Sequence, residues 1–129
     1  MAHFLSPIVE SPDRYGLIIE RTGVWLAHEL EPAFSSAARN KGLLGRDSLP
    51  PECGLIIAPT QAVHTFGMRF AIDIIGVNRQ GHVVKFRPEV PPRRLLIAWS
   101  AFAILELAAG QAHRSGLLPG DRLLLQRRD

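Results

Sequence analysis

The sequence contains very little cysteine and no clustered metal ligands. Its 129 residues include one cysteine, Cys53, so no disulfide can form within the chain. One thiol is also too few for a structural zinc site of the cysteine-rich kinds. The histidines show no close pair at ligand spacing; they are His3, His28, His64, His82 and His113. We therefore predict neither a bound metal nor a cofactor.

Long apolar runs and targeting signals are also missing. The uncharged stretch 95–105 is far shorter than the ~20 residues that a helix needs to cross a bilayer. The N-terminal segment 1–7 has neither a basic start nor an apolar core, so it does not resemble a secretory signal. These absences predict a cytoplasmic protein with no membrane partner.

The sequence lacks the common nucleotide-binding and catalytic motifs. It contains no P-loop, no dinucleotide-binding glycine pattern and no Gly-x-Ser-x-Gly elbow. The formal net charge is +3, and it is uneven: residues 1–52 carry five basic and seven acidic groups, whereas residues 53–129 carry ten and five. A basic half can attract phosphates, but these arginines are not interleaved with the aromatic residues that bind single strands. Nucleic acid is therefore not the expected partner.

The sequence does contain many short apolar stretches separated by glycine and proline. Stretches 15–20 and 24–30, joined by a turn, predict a β-hairpin. Residues 32–41 predict a short helix, with Pro32 in its first turn and Gly42 as its C-terminal cap. Further strands are predicted at 54–58, 71–77, 82–87 and 122–126.

Two regions are harder to assign. Pro88, Pro91 and Pro92 predict the absence of regular structure between Arg87 and Arg93. Residues 95–107 fit either two strands or one buried helix by periodicity.

Because helices and strands do not alternate regularly, a parallel α/β sheet is not expected. The predicted fold is mainly β, a compact β-sandwich or small barrel of about eight short strands with one short inserted helix, in a single domain spanning residues 1–129.

Three segments resemble a known family. They are RNKGLLGRDSLPPECGLIIA (39–58), HTFGMRFAIDIIGVNRQGHVV (64–84) and ILELAAGQAHRSGLLPGDRLLL (104–125). Their order and spacing resemble the family catalogued as domain of unknown function 192. Many members carry an aromatic-Trp-Met-Lys-Asn-Thr run before the aspartate, whereas residues 64–68 here read His-Thr-Phe-Gly-Met. The resemblance implies a compact, mostly β fold and no assigned activity.

Two acidic residues lie within predicted apolar strands. Asp73 stands between Ile72 and Ile74, and Glu106 stands between two leucines. A buried carboxylate needs hydrogen-bond donors because its charge is costly to bury. Asp73 is therefore either a ligand-binding group or base, or a structural acceptor for backbone N–H groups or for Arg46 or Arg69. The same alternatives apply to Glu106, and for both residues the structural role is expected.

His64 is the candidate base, since its ordinary pKa lies near neutrality. If its segment is a strand, His64, Phe66 and Met68 share one face. Cys53 and a histidine could form a nucleophilic pair, but no local signature supports one and an inert thiol is expected. A histidine of this kind more commonly forms local hydrogen bonds than it catalyses.

The leading hypothesis is a ligand- or protein-binding accessory module with a groove near His64, Arg69 and Asp73. Arg46 and Glu106 complete the candidate ligand-binding set, and the partner is either a small molecule or a protein. The rival is a hydrolase-like enzyme in which Asp73 orients His64. A third hypothesis is a nucleic-acid accessory protein that uses the basic C-terminal half.

Overall fold

The computed structural model describes residues 3–128 and confirms a mainly β fold. The strands are β1 (Tyr15–Ile19), β2 (Trp25–Ala27), β3 (Glu29–Ala33), β4 (Cys53–Ile57), β5 (Ala62–His64), β6 (Ile72–Val77), β7 (Val83–Val90), β8 (Leu95–Ile97), β9 (Ala103–Ala108) and β10 (Leu123–Arg127). The helices are α1 (Ser6–Glu10), α2 (Ser36–Lys41) and α3 (Gln111–Arg114), with a 3₁₀ turn at Pro12–Arg14. The described chain thus has ten strands and three α-helices, where about eight strands and one helix were expected. None of these helices is long and apolar enough to cross a membrane.

The strands form three sheets. The largest has the order β3-β4-β9-β6-β7, a second has the order β10-β1-β2, and β5 pairs with β8 in a two-stranded ribbon. Every strand pair is antiparallel except β3–β4, which is parallel and is connected through α2. Since the largest sheet ends at β3 and β7, no closed barrel forms within residues 3–128.

The central strands of the five-stranded sheet are buried on both faces, and their sequences are therefore almost continuously apolar. Ile56, Leu105 and Ile75 are cross-strand neighbours and belong to a first core, which α1, α3 and the three-stranded sheet cover. Leu55 and Ile74 belong to a second core on the opposite face, beneath the segment after α2 and the β5–β8 ribbon. The alternation along each strand therefore decides which core a side chain enters.

The predicted helix over residues 32–41 begins later, at Ser36. The Ser35 hydroxyl accepts a hydrogen bond from the Ala38 N–H at 3.1 Å, and this N-cap fixes the start of α2. Pro32 lies instead in β3, which is an edge strand and so tolerates a residue without an N–H. The predicted C-terminal cap is confirmed, because Gly42 has φ +49° and donates its N–H to the Ala38 carbonyl at 3.0 Å.

The prediction that prolines exclude regular structure between Arg87 and Arg93 was wrong for residues 88–90, which belong to β7, and is confirmed for residues 91–93. Pro88 lies inside β7, whose pairing with β6 shifts register between Ile72 and Ile74. Because β7 is an edge strand with a bulge, it accommodates the missing donor. The ambiguous stretch 95–107 forms two strands, β8 and β9, which belong to different sheets.

Candidate functional site

Asp73 is fully buried on the face of β6 that meets the first core. Its Oδ1 accepts hydrogen bonds from the backbone N–H groups of Glu89 at 2.8 Å and Gly110 at 3.1 Å. Its Oδ2 accepts one from the Ala112 N–H at 2.9 Å. The carboxylate therefore connects β6 to the bulge of β7 and to the first turn of α3, which is the arrangement of a structural acceptor.

The two arginines considered as partners of Asp73 have other partners. Arg46 bonds Glu31 at 2.7 Å, and Arg69 bonds the exposed Asp47 at 2.7 Å. The donors of Asp73 are all backbone groups, which explains how the residue is tolerated in an apolar strand without an ion pair. Asp73 consequently belongs to the framework of the fold and does not line the cavity described below.

Glu106 lies on the opposite face of the same sheet. Its cross-strand neighbours are Leu55 on β4 and Ile74 on β6, and only 3% of the residue is exposed. Among residues 3–128 no group donates a hydrogen bond to its carboxyl, unlike that of Asp73. Burial raises the pKa of Glu106 to about 7, and the nearby positive charge of Arg46 opposes part of that rise. The expected structural-acceptor role therefore does not describe Glu106.

The Glu106 carboxyl lines a cavity of about 380 Å³, here called the Glu106 pocket. One wall is the end of α2 with Arg39, Lys41 and Gly42, and another is β5 with His64. A Cβ atom built on Gly42 would lie 3.9 Å from Glu106 Oε1, so the end of α2 passes directly beside the carboxyl. The positive φ of Gly42 makes this turn possible, since side-chain-bearing residues rarely adopt it.

His64 ends β5 and stands at the rim of the Glu106 pocket. Its Nδ1 accepts a hydrogen bond from the Phe66 N–H at 3.2 Å, which leaves Nε2 as the protonated nitrogen when the ring is neutral. The chain turns after this strand, so Phe66 is 53% exposed whereas Met68 is buried. The His64 and Phe66 rings lie 5.8 Å apart, but the buried Met68 does not join them, so the expected grouping of all three residues does not form.

The structure thus brings together only part of the predicted site. His64 and Glu106 line one cavity, and Arg46 is close enough to Glu106 to affect its pKa. Asp73 faces the first core, and Arg69 pairs with Asp47 outside this cavity. The groove expected between His64, Arg69 and Asp73 is replaced by a pocket on the Glu106 side of the sheet.

Arg39 and Lys41 carry no functional signal in the sequence. Their position in the last turn of α2 is a common one for basic residues, which favour the negative end of a helix. That pattern indicates a helix terminus but not a pocket. Only the packing of α2 against the sheet shows that these side chains and Glu106 line the same cavity.

Cys53 does not provide a nucleophile. Its Sγ donates a hydrogen bond to Glu29 Oε2 at 3.2 Å. Burial, that hydrogen bond and the neighbouring glutamates together raise the pKa of the thiol to about 11. The thiol is therefore protonated at neutral pH, as expected of an inert cysteine.

Comparison with known proteins agrees with the ordered segments quoted above. The sequence profile of a family called DUF192 and described as "Uncharacterized ACR" matches residues 17–125. The chain belongs to the DUF192 family. No curated protein matches the sequence. The Glu106 pocket and the Asp73 contacts all lie within the part of the chain that the DUF192 profile covers.

Two solved structures share the fold. A protein of unknown function from Novosphingobium aromaticivorans DSM 12444 is 26% identical, with a TM-score of 0.74 over 85% of this chain and 82% of that one. A protein from Sinorhizobium meliloti 1021, described as a candidate transcription regulator, is 22% identical, with a TM-score of 0.73 over 87% of this chain and 92% of that one. At this level of identity the second likeness concerns the fold alone.

Proposed function

We propose that this DUF192 chain is a ligand-binding module whose site is the Glu106 pocket. The observation that carries the proposal is the carboxyl of Glu106, a residue only 3% exposed, which lines a cavity and receives no hydrogen bond from residues 3–128. Burial disfavours the ionised carboxyl, and a ligand in the cavity can supply the hydrogen-bond partner that the described chain does not. A concave, partly apolar cavity with a few convergent polar groups is typical of small-molecule sites.

The charges around the pocket favour a small organic acid as ligand. Lys41 and Arg39 stand on the wall formed by α2, and Arg46 adds positive charge near Glu106. The Arg39 guanidinium already donates to the Phe34 carbonyl at 2.7 Å, so Lys41 is the better placed of the two to meet an anionic group. A protonated Glu106 can donate a hydrogen bond to a carboxylate, hydroxyl or carbonyl oxygen of the same ligand.

The two other functions have weaker support. An enzyme in which Asp73 orients His64 needs the two side chains in contact, but the partners of Asp73 are the backbone groups of Glu89, Gly110 and Ala112. A nucleic-acid surface needs arginines available to phosphates. In the basic C-terminal half, three of the ten basic residues form ion pairs with acidic residues, so it offers less free positive charge than its sequence indicates; they are Arg69, Arg122 and Arg128.

Small organic acids are therefore expected to raise the melting temperature of the protein. A ligand at 100 times its Kd adds about 2.7 kcal/mol of stability, which corresponds to a shift of roughly 10 °C for a domain of this size. The measurement is a thermal-shift series with mono- and dicarboxylic acids, hydroxy acids and sugar phosphates. The shift is expected to disappear in Glu106→Leu and to shrink in Lys41→Met.

The matched control is Glu20→Leu, which makes the same change at an exposed position in the turn after β1. It should retain the whole shift. An acid that stabilises Glu106→Leu as much as the unmodified protein would place its binding elsewhere and remove the basis of the proposal. Binding of the acids is also expected to weaken as the pH rises above about 7, because Glu106 then loses its donor proton.

A further inference from the structure

The outer edge of β8 has no strand beside it. In the ribbon, the Ala98 N–H bonds the Gln61 carbonyl at 2.7 Å and the Thr65 N–H bonds the Arg94 carbonyl at 2.8 Å. In an antiparallel ladder the residues between such pairs direct their N–H and C=O groups away from the partner strand. Leu95 and Ile97 therefore direct theirs away from β5, and no strand within residues 3–128 pairs with that edge.

The opposite edge of the ribbon is closed by a side chain. The Thr60 hydroxyl donates to the Ala62 carbonyl at 2.9 Å and lies 3.4 Å from the Ala62 N–H. A threonine that occupies both backbone groups of an edge residue blocks the addition of another strand there. β8 is therefore the edge of the ribbon on which a strand can be added.

Large apolar side chains are exposed on and next to the β5–β8 ribbon. Leu95 is 64% exposed, Ile97 37%, Phe66 53% and Trp99 77%. These four account for half of the eight large hydrophobic residues that are exposed in residues 3–128, and all lie in the ribbon or within two residues of its strands; they are called the apolar patch. Exposed apolar residues grouped in this way mark interaction sites.

The flank of the patch is basic. Arg93 and Arg94 immediately precede β8 and are both exposed. Neither forms an ion pair with the acidic residues of the described chain, 3–128. The Arg94 guanidinium lies near the Pro92 and Arg93 carbonyls at 3.4 and 3.3 Å, which holds it beside the backbone at the start of the strand.

We propose that the edge of β8 binds an extended segment of a partner protein that alternates apolar and acidic residues. The backbone of the segment pairs with Leu95 and Ile97, its apolar residues cover the patch, and its acidic residues meet Arg93 and Arg94. This is recognition by strand addition, in which main-chain hydrogen bonds give affinity and side chains give specificity.

Charge and hydrogen bonding favour this occupant over two others. A second copy paired antiparallel through Leu95–Ile97 would set Arg93 and Arg94 opposite residues 98–99 of the other copy, so neither arginine would meet an acidic partner. A lipid surface would satisfy the aromatic and basic side chains, but it offers no partner for the N–H and C=O groups of Leu95 and Ile97. A strand with apolar and acidic residues can pair with the free backbone groups, cover the apolar patch and neutralise the two arginines.

The test uses the full chain labelled with ¹⁵N and three capped hexapeptides. The first alternates valine and aspartate, the second alternates valine and lysine, and the third is the aspartate peptide with alternate backbone nitrogens methylated. The aspartate peptide is expected to shift the amide signals of Leu95 and Ile97. The lysine and methylated peptides are expected to bind at least about tenfold more weakly, since each removes one part of the recognition.

Two variants sharpen the result. Ile97→Pro removes an outward donor without removing a ribbon hydrogen bond, so it should abolish peptide binding while the protein melts near its usual temperature. The double change Arg93→Glu and Arg94→Glu should reverse the preference toward the lysine peptide. Equal binding of all three peptides, or amide shifts confined to other strands, would contradict the proposal.

The other occupants give distinguishable results. A dimer in sedimentation that Ile97→Pro dissociates would assign the edge to self-association. Binding to anionic phospholipid vesicles that Trp99→Ala abolishes, with no peptide-induced shift at Leu95, would assign the patch to a lipid surface. Either result overturns the proposal without affecting the Glu106 pocket, because that pocket is tested by Glu106→Leu.

Discussion

Replacing Asp73 with alanine is expected to lower the free energy of unfolding by roughly 3–5 kcal/mol. The change removes one carboxylate that accepts three backbone hydrogen bonds, from Glu89, Gly110 and Ala112. Because Asp73 is fully buried, water cannot replace the lost acceptor without rearrangement. Urea denaturation followed by circular dichroism measures the effect, and a loss of this size threatens folding of the whole chain.

The matched control for this prediction is Asp47→Ala. Asp47 also accepts a hydrogen bond, from Arg69 at 2.7 Å, but its side chain is 84% exposed. Exposed ion pairs contribute little, so the control should unfold near the midpoint of the unmodified protein. Similar losses in the two variants would show that Asp73 does not hold β7 and α3 against β6.

Asp73→Asn separates charge from hydrogen bonding. Asparagine retains one acceptor oxygen but places an NH₂ group where a second acceptor is needed. Oδ1 accepts from Glu89 and Gly110, whereas Oδ2 accepts from Ala112. The single amide oxygen can therefore accept the hydrogen bonds of only one of these two sets of donors. We expect the stability of Asp73→Asn to fall between that of the unmodified protein and that of Asp73→Ala.

Asp73 and Glu106 also show how far the sequence could predict this protein. Both are acids within apolar strands, and the sequence correctly indicated that both are buried. It could not show that they face opposite cores, because this depends on the pairing of Asp73 with Leu107 and of Ile74 with Glu106 across β6 and β9. Register of this kind is a long-range property, and a shift by one residue would exchange the two faces.

The same distinction applies to the elements of the fold. The predicted hairpin is confirmed for β1 and β2 because its signals are local: two apolar stretches and a turn at residues 21–23. Residues 29–30 of the predicted second strand belong instead to β3, in another sheet. Pro88 was misjudged because a proline rule depends on whether the strand is central or at an edge, which its neighbours in sequence do not reveal. The Glu106 pocket was missed for a related reason. Lys41 on α2 and His64 on β5 line the same cavity only because both elements pack on the same face of the five-stranded sheet.

Glu106 is expected to make the protein less stable as the pH rises. Its pKa is 4.5 in an unfolded chain and about 7 in the folded protein, so between these values the folded state holds the extra proton. The stability linked to this proton is fully present below about pH 4.5 and is lost as the pH passes through about 7. The difference corresponds to roughly 3 kcal/mol, because one pKa unit is worth about 1.4 kcal/mol.

Glu106→Gln should remove this dependence. Near pH 4.5 the variant and the unmodified protein are expected to have similar free energies of unfolding, whereas near pH 8 the variant should be more stable by roughly 3 kcal/mol. Urea denaturation at pH values between these limits measures the difference, and Glu20→Gln, at an exposed position, should follow the unmodified protein throughout. A difference between Glu106→Gln and the unmodified protein that does not change with pH would show that Glu106 titrates normally.

A carboxyl that lowers the stability of the unliganded protein is typical of a binding site. The local cost is offset when a ligand binds. An acid that hydrogen-bonds the protonated Glu106 should therefore hold its proton to higher pH, so it should stabilise the protein most below about pH 7 and extend the loss of stability to higher pH. Repeating the urea series with the acid that gives the largest thermal shift tests this coupling directly. If the acid raises stability equally at every pH, it binds without contacting Glu106, and the pocket has been assigned to the wrong ligand.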